Sequence, residues 1–304
     1  MLILNSIATE ILHDPLWENQ GIELAIKRLD QVHPKASGNK FYKLKYNLQE
    51  ARNQGKSTLL TFGGAYSNHI YATAAAAEYV GFKSIGIIRG EETLPLNPTL
   101  EAAESHGMDL QYVSRSAYRN KKEKGFIENL KKEFGDFYLI PEGGTNAFAV
   151  SGTAEILTTA DSRYSHICTS IGTGGTFSGL ASSIRQDQEL IGFSSLKGKF
   201  IHDEIHSLLR QFQIHPKGKI KILNQYHFGG YGKYNDDLVD FIRWFYKKFQ
   251  IPLDPIYTGK MVYGVLDQIK TKLIPSGAKI LLLHTGGIQG LAGFNQRFGL
   301  SLPL

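Results

Sequence analysis

A single cysteine, Cys168, stands in 304 residues, so the chain cannot close an internal disulfide. A secreted scaffold stapled by disulfides is excluded, and a reducing cytoplasm is the expected setting. The thiol lies in the run Tyr164-Ser165-His166-Ile167-Cys168-Thr169, where it reads as a small strand residue facing the core rather than as a nucleophile. Long apolar runs are missing too. No stretch reaches the roughly 20 residues of a membrane helix. The short apolar patches of residues 1–20 are broken by Glu10, His13 and Asp14 and lack a basic segment ahead of them. Neither a membrane span nor a signal peptide is expected. Low-complexity tracts and short-period repeats are also lacking, which leaves one large globular domain or two intertwined ones.

Charge of one sign is only modestly in excess, at +6. Much of the local excess falls in residues 115–133, where Lys121, Lys122, Lys124, Lys131 and Lys132 alternate with Glu123, Glu128 and Glu133. That is the solvated face of a helix, and with no aromatic-interleaved basic motif beside it no nucleic-acid partner is expected. His202 and His206 lie one helical turn apart but lack a third ligand, so no metal is expected.

What the chain does have is glycine placed between strands and helices. Residues 164–169 read as a buried strand, Ser170-Ile171-Gly172-Thr173-Gly174-Gly175-Thr176 as a turn, and residues 176–185 as a helix. Backbone N–H groups converging at a helix N-terminus, with threonine hydroxyls beside them, form a cradle for phosphate. The loop does not end in Gly-Lys-Ser/Thr, so it is not a nucleotide P-loop, and backbone donors are expected to do the gripping. Phe177 stands where a dinucleotide fingerprint needs its third glycine, and the next strand, residues 190–193, ends in Ser194-Ser195 without an acid.

Upstream, residues 21–29 alternate like a strand, and a turn-rich run leads to Gly38-Asn39-Lys40. Phe41, Leu44, Leu48 and Ala51 recur at helical spacing, which makes Asn39 the expected N-cap and puts Lys40 in the first turn. The helix dipole disfavours a cation there. Lys40 is either a solvated lysine or an amine of lowered basicity, poised to form a Schiff base. A regular alternation follows, with strands expected at residues 58–62, 84–89, 109–113 and 137–141 and helices at 67–80, 97–106 and 116–134. Such spacing implies a parallel sheet with right-handed crossovers. Two of its turns, Gly63-Gly64-Ala65-Tyr66-Ser67-Asn68-His69 and Pro141-Glu142-Gly143-Gly144-Thr145-Asn146, repeat the glycine-turn design. Beyond the central loop, strands are expected at 190–194, 219–223 and 278–284, and helices at 235–249 and 260–273.

Taken in order, Gly38-Asn39-Lys40, Ser67-Asn68-His69, Pro141-Glu142-Gly143-Gly144, Gly172-Thr173-Gly174-Gly175-Thr176, Asp254-Pro255-Ile256-Tyr257-Thr258-Gly259-Lys260 and His284-Thr285-Gly286-Gly287 form a set that spans nearly the whole chain. It resembles the family of 1-aminocyclopropane-1-carboxylate deaminase and D-cysteine desulfhydrase, pyridoxal-phosphate enzymes of the tryptophan synthase β-like fold (fold type II). The resemblance implies an α/β protein of two domains with open, mainly parallel twisted sheets. A small domain, residues 45–153, would be inserted into a large cofactor-binding domain of residues 1–44 and 154–304. It also implies a small amino-acid substrate and a homodimer. Lys40 would be the Schiff-base lysine and proton-transfer base. Gly172, Thr173, Gly174, Gly175 and Thr176 would hold the cofactor phosphate, and Asn68 would lie beside the ring oxygen. Ser67 and His69 would sit near the substrate carboxylate, with Ser67 also a candidate nucleophile or proton carrier. Tyr231 and Tyr257 would face the substrate, and Thr258 or Thr285 the pyridine nitrogen.

One departure bears on chemistry. The deaminase pattern carries glutamate after the second tyrosine, where this chain has Thr258. A carboxylate there strengthens the cofactor as an electron sink. A neutral threonine suits β-elimination of a good leaving group better, which tilts the expectation towards D-cysteine desulfhydrase chemistry and away from ring opening. Bulky neighbours, Phe41-Tyr42 after Lys40 and Ile70-Tyr71 after His69, depart from the family's smaller residues and leave the substrate open. A catalytically silent cofactor-binding protein is the alternative from another class, and intact Lys40, Ser67, Tyr231 and Tyr257 argue against it.

Overall fold

The computed structural model describes Leu2 and residues 5–304. Among the described residues, ten strands form two sheets. The six-stranded sheet contains β1 (Thr9–Leu12), β2 (Glu23–Lys27), β7 (His166–Ile171), β8 (Glu189–Ser194), β9 (Lys219–Leu223) and β10 (Lys279–Leu283), in the order β1-β2-β10-β7-β8-β9. Only β1, absent from the sequence expectation, runs antiparallel. The four-stranded sheet is wholly parallel, in the order β5-β4-β3-β6, from β3 (Thr58–Gly64), β4 (Lys83–Arg89), β5 (Met108–Val113) and β6 (Tyr138–Ile140).

The helices before and within the smaller sheet are α1 (Pro15–Glu18), α2 (Asn39–Asn53), α3 (Asn68–Val80), α4 (Pro98–Ser105), α5 (Arg115–Arg119), α6 (Lys124–Phe134) and α7 (Ala147–Ala154). Those that follow are α8 (Gly175–Ser183), α9 (Phe200–Gln211), α10 (Asp236–Phe249), α11 (Thr258–Lys270) and α12 (Gly290–Phe298). The helix expected over 116–134 is two pieces, because Ser114 caps a first short helix and the chain turns at 120–123 before a second begins. No helix among the described residues is long and apolar enough to cross a membrane.

Strand register explains the near-continuous apolar runs. In the central strands alternate residues serve opposite faces: Ile167, Leu190 and Leu281 join the core on one side of the large sheet. Their neighbours Cys168, Ile191, Ile280 and Leu282 join the core on the other. Both faces are covered, as an all-parallel centre requires. Cys168 is fully buried and burial pushes its thiol pKa up, so it fills the core.

The strand orders also say where a ligand belongs. In the large sheet the chain moves from β7 outward to β8 and β9, then returns to place β10 on the other side of β7. In the small sheet it moves from β3 to β4 and β5, then returns to place β6 on the other side of β3. Each reversal leaves a crevice at the carboxyl ends of two parallel strands, the usual ligand site of open α/β sheets. The loops at these crevices are the glycine turns of residues 172–174, 284–287, 63–67 and 141–146.

The two sheets are joined through α2, α7 and α8, which pack at close range. A Cβ on Gly152 of α7 would lie 2.0 Å from the Tyr42 carbonyl oxygen, and one on Gly179 of α8 would lie 2.0 Å from Thr153 Oγ1. Even a methyl group is excluded at these points. Gly152→Ala is expected to destabilise the fold by about 1–3 kcal/mol through overpacking. Chemical denaturation should show a lowered midpoint with an unchanged slope; an unaltered midpoint would mean that the helices part without cost.

Candidate active site

The site is built around the start of α2. Gly38 adopts φ +66°, and a Cβ there would lie 2.1 Å from the Thr285 carbonyl oxygen. Only glycine permits this approach, which lets Asn39 N donate to that carbonyl at 3.1 Å. The N-cap is therefore Gly38, one residue before the expected Asn39. The Asn39 side chain is used elsewhere: Nδ2 donates to Thr176 Oγ1 at 2.7 Å, and Oδ1 accepts from Lys40 Nζ at 2.9 Å. Lys40 is thereby fixed between the loops that follow β7 and β10. Burial lowers its pKa to about 8, against the opposing pull of the Asp254 carboxylate.

A second lysine, which the motif reading passed over, lies one helical turn on. Lys43 is buried, and its Nζ donates to the Gly143 carbonyl at 2.8 Å and to Thr145 and Thr173 Oγ1 at 3.3 Å each. Among the described residues no carboxylate is paired with it. Burial first, and Lys40 second, push its pKa well below the ordinary lysine value. The signal was available as i, i+3 spacing from Lys40 on one helix face. A Cβ on Gly175 would come within 3.1 Å of this ammonium, so the bare backbone, the threonine hydroxyls and the cation share one space. The sequence assigned that loop no lysine of its own; α2 supplies one from outside it. Gly174, by contrast, serves the turn itself, with φ +82° and its Cβ direction filled by Leu208 and Ile205 of α9.

Ser67 caps α3, its Oγ accepting from His69 N at 3.2 Å and Ile70 N at 3.3 Å, so its own proton is free to donate. The Asn68 side chain reaches across to the other sheet, where Cβ atoms on Gly287 and Gly290 would each lie 3.1 Å from its amide. His69, expected near a substrate carboxylate, does not open onto the cleft. It is 2% exposed, and its Nε2 is 2.9 Å from Thr61 Oγ1, whose proton goes to the Ile140 carbonyl. The ring is thus held by the floor of the small sheet through Thr61. Burial, then the Lys40 and Lys43 charges, hold the ring well below the usual histidine pKa, so it is neutral. The phase of α3 turns this side chain towards β3.

Thr258 is one of the two threonines expected at the ring nitrogen. It is fully buried, donating to Asp254 Oδ2 at 2.7 Å and accepting from Asp254 N at 2.9 Å. Asp254 accepts from Ile256 N and Tyr257 N at Oδ1 and from Thr258 N at Oδ2 as well. This carboxylate, the first residue of the 254–260 motif, holds the start of α11 with both oxygens engaged. The other threonine expected at the ring nitrogen, Thr285, shares a 3.1 Å hydrogen bond with Ser170 Oγ at the ends of β10 and β7.

Tyr257 lies against Gly172, whose Cβ would be 3.0 Å from its ring, and faces Tyr231 with ring centroids 6.1 Å apart. Burial raises the Tyr257 phenol pKa well above the ordinary one, and loss of solvent around the half-exposed Tyr231 raises that of its phenol, so each is a proton donor at neutral pH. Glu142, bonded to Tyr118 at 2.8 Å, adds negative charge on the same side. Among the described residues no three His, Cys, Asp or Glu side chains converge as a metal site.

An amine kept partly unprotonated, beside a cradle whose buried cation has no counter-charge, suits a phosphate ester that also carries a carbonyl. Residues 8–286 match the family model of pyridoxal-phosphate dependent enzymes, and the chain belongs to that family. Pyridoxal phosphate is accordingly its cofactor, and the donors around Gly175 fit the phosphate. A protein of Pyrococcus horikoshii provisionally named 1-aminocyclopropane-1-carboxylate deaminase is 31% identical over 91% of this chain and 88% of its own length. The mitochondrial bifunctional D-cysteine desulfhydrase/1-aminocyclopropane-1-carboxylate deaminase of Arabidopsis thaliana is 29% identical over 89% of this chain and 74% of its own. A crystal structure of an ACC deaminase homologue superposes with a TM-score of 0.84 at 28% identity, covering 98% and 94% of the two chains. The fold is thus that of the fold type II enzymes.

In cofactor-stripped protein, Lys40 should titrate near pH 8 and not at its ordinary value of 10.5. Only the neutral amine attacks an acylating reagent, so labelling by acetic anhydride should rise through that lower pH. Mass spectrometry of the Lys40 peptide reads the midpoint, and one near the ordinary value would contradict the burial.

Proposed function

We propose that the protein is a deaminating lyase of small amino acids that eliminates sulfide from D-cysteine, giving pyruvate, ammonia and sulfide. Bound pyridoxal phosphate supplies an electron sink for the substrate α-carbon, strongest where a carboxylate keeps its ring nitrogen protonated. The observation that carries the reading is the state of the 254–258 turn. Position 258 offers a hydroxyl and not the glutamate of the deaminase pattern, and the nearby Asp254 has both oxygens committed to the turn. The hydroxyls left at the switch point, Thr285 and Ser170, are neutral.

A weak sink matters less to elimination than to opening a cyclopropane. In elimination Lys40 Nζ takes the α-proton while the electron pair of that C–H bond expels thiolate, so charge need not collect fully. The Tyr257 or Tyr231 phenol returns a proton to the departing sulfur. The product, 2-aminoacrylate, hydrolyses with one water to pyruvate and ammonia. A ring-opening substrate has no α-proton for Lys40, and each ~1.4 kcal/mol of lost stabilisation slows it tenfold. The Ser67 proton and the Asn68 amide would orient the substrate carboxylate and the cofactor oxygen. Residues 172–176, with Lys43, would hold the phosphate. The same resemblance supports a homodimer, which sedimentation would check, and the single cysteine fits a reducing cytoplasm.

Two outcomes are expected. Wild-type protein should release pyruvate and sulfide from D-cysteine far faster than it forms 2-oxobutanoate from 1-aminocyclopropane-1-carboxylate. Efficient ring opening in side-by-side steady-state assays would overturn the reading. Lys43→Met should weaken cofactor binding by about 10- to 100-fold, the worth of a charge-assisted hydrogen bond. Titration of the stripped protein with pyridoxal phosphate measures this directly, and unchanged affinity would remove Lys43 from the phosphate site.

A further inference from the structure

A buried cation at the other end of the motif has no part in the chemistry so far described. Lys260 is 1% exposed, lies in the first turn of α11, and has no carboxylate paired with it among the described residues. Burial and proximity to a helix N-terminus both disfavour an ammonium there, and the Asp254 carboxylate, which makes no direct bond to it, only partly opposes them. What offsets these costs is a pair of carbonyls: Nζ donates to His227 O and to Gly230 O at 2.8 Å each.

Those carbonyls belong to the segment that carries Tyr231. It lies outside every sheet and helix, and four of its residues take positive φ: Phe228 (48°), Gly229 (91°), Gly230 (119°) and Gly232 (66°). A non-glycine residue in that region is strained, and three glycines make the unfolded alternatives numerous. Left to itself, such a segment would sample many shapes. Its own bonds, Gly230 N to His227 O at 3.0 Å and Lys233 N to Gly230 O at 3.1 Å, are local turns that do not tie it to the body of the protein.

The tie comes from α11 and the residue that precedes it, which present three residues at i, i+3 and i+6. Tyr257 faces the Tyr231 ring at 6.1 Å, Lys260 holds the two carbonyls, and Tyr263 meets Phe228 edge-on at 4.9 Å. The Phe228–Tyr263 contact is permissive in geometry and the Tyr231–Tyr257 phenols share one hydrogen bond between mobile side chains; the two ammonium bonds are the directional ties to the segment's backbone. We propose that Lys260 is a positioning residue: it locks the 227–232 segment onto α11 and so sets the placement of Tyr231 over the substrate cleft. The role of Tyr231 rests on the elimination reading, whereas the locking of the segment does not.

The test separates the two. Hydrogen exchange on the holoenzyme reads the segment directly, with no substrate present. Lys260→Met should speed exchange of the Gly229, Gly230 and Lys233 amides by about 10- to 100-fold, in keeping with the loss of charge-assisted bonds. The α11 amides and the borohydride-reducible attachment of the cofactor to Lys40 should stay as in the wild type. Lys260→Gln keeps one donor group and should give an intermediate exchange rate, which also serves if the methionine variant does not fold. In the elimination assay, Lys260→Met should lower kcat/KM, and adding Tyr231→Phe should cost no more than Tyr231→Phe alone. Unchanged segment exchange would overturn the proposal, and so would fully additive losses in the double variant. A wild-type protein inactive on D-cysteine would count against the elimination reading and leave the exchange result to decide the role of Lys260.

Discussion

One hydrogen bond, from the Asn39 backbone to the Thr285 carbonyl, sets the position of everything reactive. It fixes the first residue of α2 to the turn after β10, and the helical phase then dictates that Lys40 and Lys43 point into the cleft. Had Gly38 carried any side chain, the two backbones would stand apart and both amines would move with the helix. The arrangement opposes stability. Lys40 has a lower pKa folded than unfolded, so between pH about 8 and 10.5 the unfolded chain binds more protons. The cost of burying this amine is felt in full below that window and fades as pH rises through it. Reactivity and stability pull in opposite directions here.

Glycine turns between apolar runs made most of this visible in the sequence. A β-strand buried on both faces is rich in apolar and small residues on both of them, and such runs located β7, β8 and β10 to within a residue or two. Ser67 and Asn97 before their helices are side-chain caps, and both helices begin where such residues predict. The strand β1 was missed because it has only four residues at a sheet edge, where half its side chains meet water. No pattern distinguishes so short a strand from a loop.

The site was less legible than the fold, for a reason that recurs. Motifs mark residues near one another in the chain, whereas the cradle is completed by a lysine from α2, threonines from two different loops and a glycine turn. Asp254 stands in the 254–260 motif without a role of its own there, because an Asp-Pro pair reads as a plain turn. Only coordinates reveal that its carboxylate takes up the whole 256–258 backbone and the Thr258 hydroxyl. His69 shows the converse. A motif groups it with Ser67 and Asn68, but consecutive residues at a helix start point about 100° apart, and its ring belongs to the floor of the small sheet.

The strand order has a consequence for how such a chain is made. Synthesis proceeds from the N-terminus, and the small sheet has all four strands by Ile140. The large sheet cannot close at that stage. Its second strand must wait for β10, which is inserted between β2 and β7 and is translated after all the others. Until residues 279–287 emerge, β2 has one antiparallel neighbour, β7 has an open edge, and the amine of Lys40 has no carbonyl to anchor its helix. Long-range pairing of this kind is slow and leaves sticky edges exposed in the interim. A truncated or stalled nascent chain would thus hold a finished small sheet beside an unfinished large one, without a competent amine, so that a partial product carries no stray reactivity.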